Sequence, residues 1–341
     1  MTRDPAWHRA RFADRLPWLR RRGLARAAIR AFFTARGYLE VETPILTPAP
    51  GEEVHLRAFR TEGVTARGAR HEYWLHTSPE FAMKRLLVAG AGPIFQLARV
   101  FRNEQAGRLH APEFTMLEWY RPGATMADLM DETEALLRAV LPPVFDYAGM
   151  TLDLTRPGTR ISMQAAFQRH AGIDVLGCGE TAEALAGAAG VARLPDEDWE
   201  SLFFRLLLDR VEPHLGRDGP GFLTHWPLAQ AALARPAPED GRVAERFEVF
   251  LGGMEIANAF IELTDAAEQR RRFLADRARR HALTGRSDWP MDEDFLAALA
   301  HGMPPAGGVA MGFDRVVMLA TGATRIADVQ YMPLGDDNDG D

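Results

Sequence analysis

The residues best suited to chemistry stand between positions 95 and 122, FQLARVFRNEQAGRLHAPEFTMLEWYRP, where a polar loop holds Arg102, Asn103, Glu104, Arg108 and His110. Arginine presents a rigid fork of donors that matches a phosphate or carboxylate, and a protonated histidine adds another, so this loop suits a polyphosphate. Glu104 would be repelled by phosphates unless it accepted from something else, and an adenine amine is a fitting donor. Phe114 could stack on that base. The same residues also read as the solvated tip of an ordinary hairpin.

A second group of acids lies in FEVFLGGMEIANAFIEL, where Glu248, Glu255 and Glu262 recur at intervals of seven, with Asn258 among them. On neighbouring strands, or on either side of the Gly252 turn, Glu248 and Glu255 could hold a magnesium ion, which takes carboxylate oxygens together with phosphate and water. Glu262 would then be left for another cation. Solvated strand-edge acids are the alternative, but the apolar residues around them mean that each acid needs a partner. Near the C-terminus, GGVAMGFDRVVML places glycines before Asp314 and Arg315 at the head of a helix, where an arginine could grip a terminal phosphate. No Gly-Lys-Ser/Thr phosphate loop and no GxGxxG strand-turn-helix fingerprint is present.

Alternation and capping residues predict the elements that position these groups. Strands are expected over 95–101 and 114–119, forming the hairpin that carries the polar loop. Ahead of it come a helix over 23–36 ended at Gly37, a strand over 38–41 stopped by Pro44, a long loop over 47–70, and a strand over 73–76. Thr77 and Ser78 then cap a helix that runs through Val88 with Pro79 in first position. Beyond the hairpin a helix is expected over 126–140 and a helical insertion over about 160–216. Strands over 221–225 and 242–251 and helices over 265–282 and 292–299 follow. The tail 335–341, GDDNDGD, reads as acidic and disordered.

Composition narrows the function class. The chain has 341 residues, 47% of them hydrophobic, enough for a large core, and a net charge of −7, which argues against broad nucleic-acid binding. Its longest apolar runs contain Gly and Pro and fall short of a membrane span, and the first residues do not form a secretory signal, so a cytoplasmic protein is expected. Cys178 stands alone, which excludes an internal disulfide and a cysteine-rich zinc site. Residues 15–36 carry seven arginines and no acid, either a solvated helix face or a dock for an acidic partner. Lys84 is the only lysine, so any self-modification through a lysine side chain would have to map there.

In order along the chain, GYLEVETPIL, VFRNEQAGRLHAPEFTMLEWY and GVAMGFDRVVML resemble the three signature motifs of class II aminoacyl-tRNA synthetases. TSPE, RNE, PEFTMLE and the block 248–262 resemble the lysyl branch. The position of the first motif, which leaves no room for an anticodon-binding domain, together with WYRP, RVAERFEVF and the alanine in GVAMG, resembles the elongation factor P–(R)-β-lysine ligases over essentially the whole chain. The resemblance implies an α+β class II catalytic fold, an antiparallel sheet flanked by helices, in a single domain over 1–334. It implies a homodimer, with ATP and magnesium as cofactors, (R)-β-lysine or lysine as substrate and elongation factor P as partner; the acidic net charge and the missing anticodon-binding domain count against tRNA.

By matching position, Arg102 and Arg315 would be catalytic, and Arg102, Asn103, Glu104, His110, Phe114, Glu248, Val249, Gly312 and Arg315 would bind ATP. Ser78, Glu80, Glu118, Tyr120, Glu255, Asn258, Glu262 and Ala310 would receive the amino acid, and Glu248 and Glu255 the metal. Three positions depart from the pattern: Ala111 stands for asparagine, Ala259 for glycine and Ile261 for histidine, and altered affinity is expected rather than lost activity. Two rivals remain, an adenylating enzyme with another acceptor and a non-catalytic paralogue that binds an amino acid or a partner.

Overall fold

The computed structural model of the chain describes residues 6–104, 106–179, 181–285 and 289–334, which fall into two compact units. The first lies within 1–125, 139–141 and 263–341, the second within 126–138 and 142–262. In chain order the first unit opens with α1 (Arg9–Thr34), β1 (Leu39–Glu40), β2 (Leu46–Thr47), β3 (Arg60–Val64), β4 (Arg70–Leu75), α2 (Glu80–Val88), β5 (Ile94–Phe101) and β6 (Glu113–Pro122). Next come α3 (Met126–Val140), β7 (Val144–Tyr147), β8 (Met150–Asp153), β9 (Thr159–Ser162), α4 (Met163–Ala171), α5 (Ala182–Ala189), α6 (Trp199–Leu206), β10 (Gly221–Pro227), β11 (Pro236–Ala237), β12 (Asp240–Leu251) and β13 (Met254–Ile261). The first unit then resumes with α7 (Ala266–Thr284), α8 (Glu293–Gly302), β14 (Ala306–Gly312) and α9 (Phe313–Thr321).

In the first unit β6 lies between β5 and β14, antiparallel to both, and β1 adds a short parallel edge to β5. Successive side chains of a strand face opposite ways. Phe114, Met116, Glu118 and Tyr120 therefore share one face of β6, and Thr115, Leu117 and Trp119 share the other. The second face is the hydrophobic base: Phe33 of α1 stacks on Phe95 at 4.8 Å between ring centres and lies 5.3 Å from Trp119. Leu19, Ile29 and Phe33 of α1 are buried, which is why an amphipathic helix forms there.

The arginine-rich run is not the uniform solvated face that its composition suggests. Arg15 donates to the carbonyl oxygens of Ala327, Asp328 and Gln330, and Arg22 is buried between Asp314, Thr115 and the Val329 carbonyl. Those carbonyls and that carboxylate, closed off from water, need donors, and long arginine side chains supply them. Arg30 pairs at the surface with Glu40 at 2.8 Å.

Residues 47–70 are also more ordered than expected: β2, β4 and β3 form a three-stranded antiparallel sheet, with Arg70 paired to Glu62 at 2.8 Å. Of the expected loop, 48–59 connects β2 to β3.

In the second unit β12 lies between β10 and β13, antiparallel to both, while β9 runs parallel to β10. Helices α4, α5 and α6 lie within 160–216, the last continuing into a π-helical turn, Leu207–Val211. Met163, Phe167, Leu185, Phe203, Leu206 and Trp226 form its core. No helix among the described residues is long and apolar enough to cross a membrane. The tail 335–341 lies outside the described residues.

Candidate active site

The first unit gathers most of the expected residues on and around the Glu118 face of β6. Glu118, at mid-strand, pairs in register with Gln96 of β5 and Ala310 of β14, so Ala310 is its cross-strand neighbour. The Ser78 hydroxyl donates to Glu118 Oε1 at 2.5 Å and the Tyr120 hydroxyl to Oε2 at 2.9 Å. Ser78 also accepts the Glu80 N–H at 3.0 Å, which starts α2 beside the strand. Glu80 is fixed from one turn further on by Lys84, whose Nζ donates to Oε1 at 2.5 Å. Lys84 is 1% exposed, so it is a holder of Glu80 and not an acceptor for self-modification. Its i,i+4 spacing from Glu80 was the signal in the sequence that could have revealed this role.

Burial first, and Glu80 second, push the Glu118 carboxyl up to about 8. A free glutamate titrates near 4, roughly. The folded protein therefore holds a proton that the unfolded chain releases between those values, and stability falls as pH rises through that window. In thermal denaturation without ligands, the melting temperature is expected to decline from pH 5 to pH 8, and less steeply in Glu118→Gln. Equal slopes for the two proteins would refute the assignment. A substrate ammonium beside Glu118 would favour the ionised form and reverse the effect.

The residues expected at the nucleotide follow along the same strip. Arg102 places its guanidinium 5.2 Å from the centre of the Phe114 ring, and its Nε is buried without a hydrogen-bond partner among the described residues. The loop after it is held by Arg102 N–H to Pro112 O at 2.9 Å and Asn103 N–H to Arg57 O at 2.8 Å, with Asn103 and Glu104 exposed. Arg315, in the first turn of α9, donates to His110 Nε2 at 3.0 Å, so the two expected outer-phosphate groups are together. Ala98 of β5 and Gly312 of β14 flank Met116 on this face, and Phe114 and Ala310 pack against the same cluster.

Asp314 ties α9 to the sheet. Its Oδ1 accepts from Arg22 and its Oδ2 accepts the Thr115 N–H at 2.6 Å, which locks the start of α9 to β6 and sets the position of Arg315.

In the second unit the acids are brought together by a bulge. Glu248 pairs with Asn258, but the register shifts so that Phe250 pairs with Glu255, leaving Ile256 unopposed. In an unbroken strand Glu255 and Asn258 would face opposite ways; the extra residue turns both to the face of Glu248. The turn into β13 is made by Gly252 and Gly253, both left-handed at φ 64° and 75°.

Burial first, then Glu255, raise the Glu248 carboxyl well above its usual range. Arg246, which the sequence reading missed, donates to Glu248 Oε1 at 2.6 Å and Asn258 Oδ1 at 3.2 Å. Its i,i+2 spacing from Glu248 on one strand face is the signal that would have found it. Val249 alternates to the opposite face and is buried, so only its main chain could meet a nucleotide. Ala259 and Ile261 also alternate away from Asn258 and are buried, so these two departures bear on core packing. Glu262, at the end of β13, is 2% exposed.

Among the described residues no group of three or more His, Cys, Asp or Glu side chains could by itself hold a metal. Glu248, whose ionisation the Glu255 charge opposes, nonetheless fits with Glu255 a magnesium ion, which would relieve that repulsion while keeping water and phosphate ligands.

The family model of tRNA synthetases class II (D, K and N) matches residues 9–335. The Elongation factor P--(R)-beta-lysine ligase of Klebsiella pneumoniae (strain 342) is 48% identical over 321 residues, covering 92% of this chain and 94% of that protein. The proteins of that name from Salmonella dublin and Salmonella arizonae are 47% identical over the same shares of each chain. A match of that extent, on a chain that pairs the three motif strands and helices as described, shows that the protein belongs to the class II tRNA synthetase (D, K and N) family.

Proposed function

We propose that this protein is an ATP-dependent, AMP-forming ligase that activates (R)-β-lysine and transfers it to a lysine side chain of elongation factor P. The observation that carries the reading is the strip on β6: a buried carboxylate, Glu118, beside Ser78, Glu80 and Ala310, in line with Phe114 and Arg102 and with the Arg315–His110 pair. Acids suit the ammonium groups of a diamine, and arginines suit a triphosphate.

In the first step a carboxylate oxygen of the amino acid attacks the α-phosphorus, forming a P–O bond while the bond to the β-phosphate breaks and pyrophosphate leaves. Arg102 would hold the α-phosphate and the carboxylate in line, and Arg315 with His110 would take charge on the departing phosphates. Glu104 would accept from the adenine amine. Magnesium, held by Glu248 and Glu255, would supply charge neutralisation. In the second step the ε-amine of the acceptor attacks the adenylate carbonyl, an amide C–N bond forms, the mixed anhydride C–O bond breaks, AMP leaves and the amine loses a proton.

The reading treats 1–334 as one catalytic domain that works as a homodimer in the cytoplasm, where it would meet a translation factor. Leu24, Leu39, Ile45 and Leu46 leave apolar side chains exposed around the first motif, as a surface covered by a second copy would. Sedimentation at twice the chain mass is expected, and a monomer at micromolar concentration would count against it.

The test is amino-acid-dependent ATP–pyrophosphate exchange, followed by mass spectrometry of elongation factor P incubated with enzyme, ATP and (R)-β-lysine. Exchange strongest with β-lysine and one added lysyl unit on the factor are expected. Folded protein that exchanges with no amino acid would overturn the reading. Ala310 supplies a further arm: its methyl group, next to Glu118 across the strand, would crowd an α-amino group more than a β-amino group. Ala310→Gly should shift the preference toward α-lysine by about tenfold, and an unchanged ratio would remove Ala310 from specificity.

A further inference from the structure

Glu53 is a carboxylate beside the candidate site with no task in the adenylation and transfer steps. It lies in the segment joining β2 to β3, and that segment is fastened from three sides. The Thr77 hydroxyl donates to the Pro50 carbonyl at 3.1 Å, the Trp289 indole N–H to the Gly51 carbonyl at 2.6 Å, and the Arg280 guanidinium to the Glu53 carbonyl at 2.6 Å. Neighbouring Glu52 is engaged by Arg277 at 3.2 Å and by Arg280 at 3.6 Å. The backbone here is therefore held by groups that do not depend on the Glu53 side chain.

The side chain itself is placed by a glycine. At Gly51, where φ is +149°, a Cβ would come within 2.5 Å of Glu53 Oε2 and 3.5 Å of Thr77 Oγ1. The Glu53 carboxylate thus folds across the bare α-carbon of Gly51 toward Thr77, the residue next to Ser78. Glu80 and Arg102 both act on it electrostatically. Its Oε2 is buried and has no hydrogen-bond partner among the described residues. A buried acceptor left unmade is costly, so such a group in a native structure calls for a specific reason, a bound partner among them. Burial first, and Glu80 after it, raise the Glu53 carboxyl.

We propose that Glu53 binds the amino group nearest the substrate carboxylate, the β-ammonium of (R)-β-lysine, an inference that rests on the reading of this chain as a β-lysine-activating ligase. Arg102 would hold the substrate carboxylate, and the β-nitrogen is only two carbons from the carboxyl carbon. The segment that carries Glu53 is tied at Pro50 to Thr77, next to Ser78, and at Arg57 to Asn103, next to Arg102, which sets this acid for that nitrogen. The second ammonium, three carbons further along the chain, falls to a different acid. Ammonium offers three donors, and Glu53 supplies an acceptor not already taken by a hydroxyl, whereas both oxygens of Glu118 are.

The experiment measures pyrophosphate exchange for wild type, Glu53→Gln and Glu53→Asp, with (R)-β-lysine as substrate and 6-aminohexanoate, which lacks the β-amine, as competitive inhibitor. Glu53→Gln should raise KM for β-lysine about tenfold or more, leave KM for ATP within about twofold, and leave the inhibition constant of 6-aminohexanoate unchanged; Glu53→Asp should recover part of the loss. An unchanged KM for β-lysine, or equal weakening of β-lysine, 6-aminohexanoate and ATP, would overturn the assignment while leaving the ligase reading intact. Wild-type protein that is folded but exchanges with no amino acid would overturn both. Should the Gln variant fail to fold, Glu53→Asp decides alone, because shortening the acid must still weaken β-lysine and spare 6-aminohexanoate.

Discussion

Arg315→Ala is expected to lower pyrophosphate exchange roughly a thousandfold, on the scale of removing a charged donor from a developing oxyanion. Arg315 stands half-exposed in the first turn of α9 with its Nη2 on His110. Neither group carries any of the core, so the melting curve should be close to that of the wild type. Arg315→Lys keeps the charge but loses the planar fork, and it should fall between the two. A loss under tenfold in the alanine variant would remove Arg315 from the phosphate grip.

The neighbouring position should behave in the opposite way. Asp314→Asn is expected to cost about 3–5 kcal/mol of stability, read by urea denaturation. Asp314 is 1% exposed and Arg22 is 4% exposed, so the change leaves a guanidinium buried without its counter-charge. Replacing both by apolar residues should recover only part of the loss, because the Thr115 N–H, which now donates to Asp314 Oδ2 at 2.6 Å, would have no acceptor. Activity at low temperature should survive better in Asp314→Asn than in Arg315→Ala, since the first change weakens the support and the second removes the charge. A stability loss below about 1 kcal/mol would mean that the pair is not the buried tie described here.

How much of this could be read in advance depended on whether a residue's neighbours in sequence are also its neighbours in space. The hairpin β5–β6 was legible because an apolar run lies on each side of the polar loop and most side chains of both strands are buried. The meeting of His110 with Arg315 came from the motifs, because no local pattern ties two residues 205 positions apart. The sheet β2–β4–β3 was missed because β3 is largely exposed and cross-strand pairs such as Arg70 with Glu62 replace a hydrophobic face. The hairpin β7–β8 was missed because its turn uses Ala148 at φ 49° where Asn would announce it. Charge content could not distinguish Arg22, which is buried against a carboxylate 292 positions away, from Arg30, which meets Glu40 at the surface. The bulge at Ile256 was invisible as well, yet it decides which acids share a face.

A ligase that makes an acyl-adenylate works with a reagent that acylates amines indiscriminately once it escapes. Most proteins would be their own first casualty. Here the one lysine side chain of the sequence is sealed against Glu80, so no lysine amine on the surface of this chain competes with the acceptor. The same absence makes amine-reactive dyes and cross-linkers blind to the lysines of the enzyme. In a mixture of enzyme and acceptor, any lysine acylation, whether enzymatic or stray, therefore reports on the acceptor.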